Sequence, residues 1–128
     1  RVNHHWQRPE KPPEIPLLGR ELIALLNADP ARIPGVVQPL LDCPVSAASG
    51  GQFQLLQACA CLCSDAQLVL LDEVTNNLDN EALRIVGGLL VPKDDRGVLL
   101  ISHDPVFLEA HCTRIIQVPE QPRAVQTP

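Results

Sequence analysis

Three short runs hold the side chains that could do chemistry: Ser49-Gly50-Gly51-Gln52, Asp72-Glu73 behind Leu68-Val69-Leu70-Leu71, and Ser102-His103-Asp104. In the first, two glycines let a ligand come close to the backbone, and the free N–H groups of a helix start suit a phosphate. In the second, a magnesium ion that arrives with a nucleotide needs a hard carboxylate and keeps most of its waters, which Asp72 could satisfy. Glu73 could then deprotonate or orient a water for in-line attack on a terminal phosphate. His103 could hydrogen-bond that phosphate or hold the water. Taken singly, each run has a plainer reading: a capped helix start, an acidic turn after a buried strand, and a histidine satisfied by Asp104. Asn76, Asn77 and Asp79 are likewise open between loop capping and contacts across an interface.

These side chains need a scaffold, and the sequence gives its outline from Ser49 onward. Ser49 with Gln52 three residues later is a capping-box pattern, which predicts a helix over about 50–63, apolar nearly all round and therefore buried. Leu68 to Leu71 is too short an aliphatic run for a helix and fits a strand buried on both faces of a parallel sheet. Asp79 is placed to cap a second helix through Leu90, weakened by Gly87-Gly88 and closed before Pro92. Val98 to Ile101 reads as another buried strand, Val106 to Ala110 as a short helix, and Arg114 to Val118 as a last strand. Alternating strands and helices predict a three-layer α/β fold with a mainly parallel sheet, in which Asp72, Glu73 and His103 emerge at the carboxyl edge.

The first third is different. Most of the 13 prolines precede Ser46. Residues 1–16 read as a proline-rich, unfolded lead or linker. Leu17 to Asn27, with apolar residues at 18, 22, 25 and 26, suits a short amphipathic helix, and Pro30, Pro34 and Pro39 predict turns around another helical piece. The expected division is 1–16 lead, 17–118 one partial domain (helical part about 17–63, strand-bearing part about 64–118), and 119–128 tail.

Composition narrows the function classes. A chain of 128 residues forms one domain at most, large enough for a core. That core is aliphatic, since aromatic residues make up 2% of the sequence. The net charge of −5 and the presence of only two lysines, Lys11 and Lys93, give no electrostatic footprint for nucleic acid. No apolar run approaches the ~18 residues of a membrane helix, and no secretory segment is visible, so a cytoplasmic location is expected. Cys59, Cys61 and Cys63 alternate within one helix rather than forming C-x2-C pairs, which points to reduced, buried thiols. With no methionine, Arg1 is not a translation start, and the chain is expected to be a fragment or processed product.

Together the runs carry a family resemblance. Ala48-Ser49-Gly50-Gly51-Gln52 resembles the signature motif of ATP-binding cassette (ABC) proteins, Leu68 to Glu73 their Walker B strand, Asn77-Leu78-Asp79 their D-loop and His103 their switch histidine, in the same order and spacing. Asp72-Glu73-Val74-Thr75-Asn76-Asn77-Leu78-Asp79, with Ile101 to Leu108 and Thr113-Arg114-Ile115, looks most like the ABC-F branch of soluble twin-cassette proteins, many of which act on ribosomes. The resemblance covers roughly residues 40–118, the carboxyl half of a P-loop NTPase-like cassette. It implies ATP and Mg2+ as cofactors, Asp72 as the carboxylate that holds magnesium through water, Glu73 as catalytic base and His103 as switch. It also implies that Ser49, Gly50, Gly51 and Gln52 close over ATP held by a second cassette, in cis or in trans, with the ribosome as a further partner.

Departures accompany the match. Ala48 stands for the leading leucine, Val74 for the proline after the base and Asn77 for the usual ABC-F histidine, while Phe53, Gln54 and Gln57 occupy positions where the family often has Arg or Lys. No G-x-x-x-x-G-K-[ST] run occurs in the sequence, so these residues alone are not expected to bind ATP tightly or turn it over. The leading expectation is part of an ATP-hydrolysing ABC-F-like cassette. The alternatives are a degenerate cassette acting as an interaction module and the nucleotide-binding subunit of a transporter.

Overall fold

The computed structural model describes residues 2–5 and 16–119. Three parallel strands form one sheet in the order β1 (Val2–His5), β2 (Leu68–Asp72), β3 (Gly97–Ile101). Val2 lies opposite Leu68, and Leu68 opposite Gly97. Four helices accompany them: α1 (Gly19–Leu25), α2 (Gly50–Leu62), α3 (Asn80–Leu89) and α4 (Pro105–His111). Parallel neighbours need crossover connections, and α3 supplies the one between β2 and β3. The α/β reading with a parallel sheet therefore holds.

Helix α2 is the centre of the core. The expected box forms, with Gln52 N–H donating to Ser49 Oγ at 3.1 Å and Ser49 N–H to Gln52 Oε1 at 2.9 Å. Phe53, Leu55, Leu56, Ala58, Cys59, Ala60, Cys61 and Leu62 are all buried, as an all-round apolar helix must be. Ile23 of α1, Leu41, Val69 and Leu71 of β2, Val86 of α3 and Phe107 of α4 join it in one cluster. Asp79 Oδ1 accepts from Ala82 N–H at 2.7 Å to start α3, and Asp104 Oδ1 accepts from Phe107 N–H at 3.1 Å to start α4, with Pro105 at its first position. Gly87 does more than weaken α3: a side chain there would strike the His111 ring, which packs on Phe107.

Several expectations need correction. Val2–His5 is an edge strand, not part of an unfolded lead. Its pattern is too short and polar to announce itself, and it is held by β2 and by buried Asn3, whose Nδ2 donates to Ser64 Oγ (2.8 Å) and Leu26 O (3.1 Å). The remainder of the expected lead, 6–15, and of the tail, 120–128, lies outside the described residues. Helix α1 is shorter than 17–27, because Asn27 turns left-handed (φ 57°) while its N–H bonds Ala24 O, and its buried residue is Ile23 rather than Leu18 or Leu25. The strand expected at Arg114 to Val118 does not form. No ladder partner is available among the described residues, and Ile115, Ile116 and Val118 are exposed. Strands β2 and β3 are buried on one face only: Val69 and Leu71 meet the helices, whereas Leu68, Leu99 and Ile101 face outward, uncovered by any described element.

The described cysteines are all free thiols. Burial pushes Cys59 up to about 12 and Cys61 up to about 11, and raises Cys63 and Cys112 as well. A thiol whose ionisation is harder in the folded state than in the unfolded chain keeps its stabilising effect below the unfolded value of 9.0 and loses it as pH rises toward 12. We therefore expect stability to urea to fall on going above pH 9. At pH 8, exposed Cys43 should react with a thiol reagent in the native state, while Cys59, Cys61 and Cys63 react only on unfolding. Three fast native thiols from α2 would contradict this packing.

Candidate functional site

The carboxyl ends of β2 and β3 bring two of the sequence-predicted groups into contact. Asp72 closes β2, and the chain then turns at Glu73, whose left-handed backbone (φ 53°) is anchored by its N–H donating to Ile101 O at 2.8 Å. A non-glycine residue held there costs on the order of 1–3 kcal/mol, a kind of strain that clusters at functional sites. The turn aims the Glu73 carboxylate inward. It is 4% exposed, and Oε1 lies 3.0 Å from His103 Nε2. Its other oxygen, Oε2, is buried without a hydrogen-bond partner. The His103 side chain is by contrast 91% exposed. His103 is thus paired with Glu73, and Asp104 serves α4 rather than the histidine.

Hydroxyl and amide side chains fix the two loops. Thr75 Oγ1 and Ser102 Oγ are 2.8 Å apart, and Ser102 Oγ also accepts from Asp104 N–H at 3.0 Å. From α2, Gln54 Nε2 donates to Val74 O at 2.9 Å and Asn76 O at 2.7 Å, so the helix that begins at Ser49 grips the loop that follows Glu73. Sequence reasoning noted Gln54 only as a departure from a basic residue. The available signal was its amide in an otherwise apolar helix, since such a group must find partners inside.

Among the described residues, Ser49 and Gln52 at the start of α2 bond each other and not the Glu73–His103 pair. The helix start abuts the next loop instead: a Cβ on Gly51 would lie 3.2 Å from Asn77 O, whereas one on Gly50 would meet nothing within 4 Å. Neither glycine has positive φ. Among the described residues Gly50 is therefore explained by neither backbone conformation nor packing. Asn77 is exposed and left-handed (φ 65°), Leu78 packs against the core, and Asp79 is the α3 cap.

Among the described residues no group of three His, Cys, Asp or Glu side chains could hold a metal ion by itself. A magnesium ion bound with a nucleotide asks for less, one or two carboxylates plus phosphates and waters. Half-buried Asp72, which closes β2 at the carboxyl edge of the sheet, fits that donor set. No described helix is long and apolar enough to cross a membrane.

Comparison with known proteins gives partial matches. No family model matches the chain. It is 46% identical over 71 residues to the mRNA export factor elf1 of Schizosaccharomyces pombe, a stretch that is 54% of this chain and 6% of that protein. With ABC transporter F family member 5 of Arabidopsis thaliana it shares 38% identity over 73 residues (57% of the chain, 10% of the relative). With family member 2 of the same plant it shares 35% over 83 residues (65% and 12%). The chain thus spans only a small fraction of the length of the curated relatives it matches. Over more than half of its length the chain is thus similar to part of ABC-type ATP-binding proteins, ABC-F members among them, and its parallel α/β fold is compatible with a piece of such a domain.

Proposed function

We propose that the chain supplies one cassette's share of an ATP sandwich. Glu73 is the base that takes the proton of the attacking water, His103 holds that base and reaches toward the terminal phosphate, and Asp72 holds Mg2+ through water. Ser49, Gly50, Gly51 and Gln52 present the start of α2 to ATP bound on a second cassette, in cis or in trans. Asn77, Leu78 and Asp79 lie along the same seam. The observation that carries the reading is the 3.0 Å contact between Glu73 and His103, which come from two different strand ends, with one buried carboxylate oxygen left unpartnered. Bound Mg2+ would supply charge stabilisation for the phosphates. Gly50 supports the second role, because it has no other explanation among the described residues.

In this reading the protein works in the cytoplasm, and the ABC-F resemblance makes translation on the ribosome its output. The test is pairing. Mixed with a cassette that carries a phosphate loop and a hydrolysis-blocking substitution, the chain should form an ATP-dependent pair, measured by light scattering. Ser49→Arg puts a bulky side chain where the phosphate must approach and should weaken pairing about tenfold, the loss expected from ~1.4 kcal/mol. ATP-dependent pairing that is indifferent to Ser49→Arg would remove α2 from the nucleotide seam.

A second reading has its own support in the lack of any G-x-x-x-x-G-K-[ST] run in the sequence. There the chain is an interaction module that offers Ser49 to Gln52 to a partner's nucleotide and hydrolyses none. Pairing without turnover, even after a phosphate loop is joined to the chain, would favour it.

A further inference from the structure

At the end of the sheet opposite Glu73 and His103, Arg32, Lys93 and Arg96 line one open cavity of about 300 Å3 with an apolar wall of Leu62, Leu89 and Val91. The turn Lys93-Asp94-Asp95-Arg96 explains part of this clustering. Its first and last residues form an antiparallel bridge, so two cations stand side by side while both aspartates occupy the tip. Among the described residues no ion pair involves any of the three cations. Asp95 is in electrostatic reach of Arg96, and Asp29 acts on the neighbouring Cys63 while accepting from Ala31 N–H.

Helix ends answer part of the positive charge. Arg96 donates to the carbonyls of Leu62 and Leu89, the last residues of α2 and α3, and Arg32 donates to Ser64 O. A helix C-terminus carries roughly half a negative charge, so two of them together with Asp95 offset about two of the three cations and leave about one. A guanidinium has five N–H donors, and these bonds use two from Arg96 and one from Arg32. Lys93 makes no recorded bond through its ammonium group. Burial and the neighbouring Arg32 both push the Arg96 guanidinium below its ordinary value, as expected of a cation without a full counter-charge.

We propose that this cavity binds a small phosphate monoester, its phosphate held by Arg32, Lys93 and Arg96 and its organic part lying on Leu62, Leu89 and Val91. A phosphate monoester carries about −1.5 to −2 charges at neutral pH, the sign that a cluster with positive charge left over attracts. The planar forks of the two arginines suit its oxygens. This site is remote from the Asp72, Glu73 and His103 cluster and does not depend on the function assigned to it.

The experiment is calorimetric titration of the 128-residue chain with glycerol 3-phosphate and, separately, with inorganic phosphate. The expected result is saturable binding at one site, tighter for the ester. Lys93→Gln, which removes no bond of the fold, should weaken it about tenfold, whereas Arg20→Ala, a cation outside the cavity, should leave it unchanged. Equal affinity for the two probes would overturn the ester in favour of the free ion. Absence of saturable binding, or equal weakening by both variants, would overturn the site and leave Arg32 and Arg96 as ties on backbone carbonyls at the ends of α2 and α3.

Discussion

Glu73→Gln, in a cassette completed by a phosphate loop, should lower ATP turnover by about 10²–10⁴-fold while nucleotide binding persists. The substitution is nearly isosteric, so the buried position and the anchoring bond from its N–H to Ile101 O are kept. An amide can still receive a hydrogen bond from His103, but it cannot take a proton from water. Because the effect lies on the chemical step and not on binding, turnover should fall with little change in nucleotide affinity. Unchanged turnover in this variant would sink the role of Glu73. The 128-residue chain alone should show no measurable turnover, and robust activity in a clean preparation would refute the expectation drawn from its missing phosphate loop.

The sequence made the helix starts most legible, because their signals are local. Ser49 and Asp79 each announce a helix start, and each accepts from the backbone N–H three residues on, whereas the same role of Asp104 was hidden by its alternative as a partner of His103. The aliphatic runs located β2 and β3 for a similar reason. What was not legible depends on distant partners. Val2–His5 becomes a strand only because β2 offers it a ladder, and Arg114 to Val118 stays out of the sheet because nothing described offers it one. A continuous apolar run likewise says that a strand can be covered on two faces, not that the second cover is present. In the site, Glu73 and His103 were named as separate candidates. Their contact, with Asp104 drawn away to cap α4, follows from strand register, which no spacing within either motif encodes.

Gln54 is the residue on which fold and site meet, and its replacement gives the largest stability effect we expect. Gln54→Leu keeps the size of the side chain but strands Val74 O and Asn76 O, one buried and one partly buried. At about 1–3 kcal/mol for each unsatisfied buried group, the loss should reach about 2–4 kcal/mol in urea unfolding. Gln54→Glu separates hydrogen bonding from packing. It is nearly isosteric, yet it turns the donor into an acceptor facing two carbonyls, so at neutral pH it should be at least as damaging as the leucine. Acid should then relieve it in part, because a protonated carboxyl recovers one donor. A Gln54→Glu chain as stable as the parent at neutral pH would show that these bonds do not hold the loop. If they do hold it, loosening them frees the turn at Glu73 from α2. Any displacement of the helix start by a neighbouring nucleotide would then no longer be transmitted to the carboxylate proposed as base, and the variant, placed in a cassette completed by a phosphate loop, should hydrolyse ATP less even at temperatures where it remains folded.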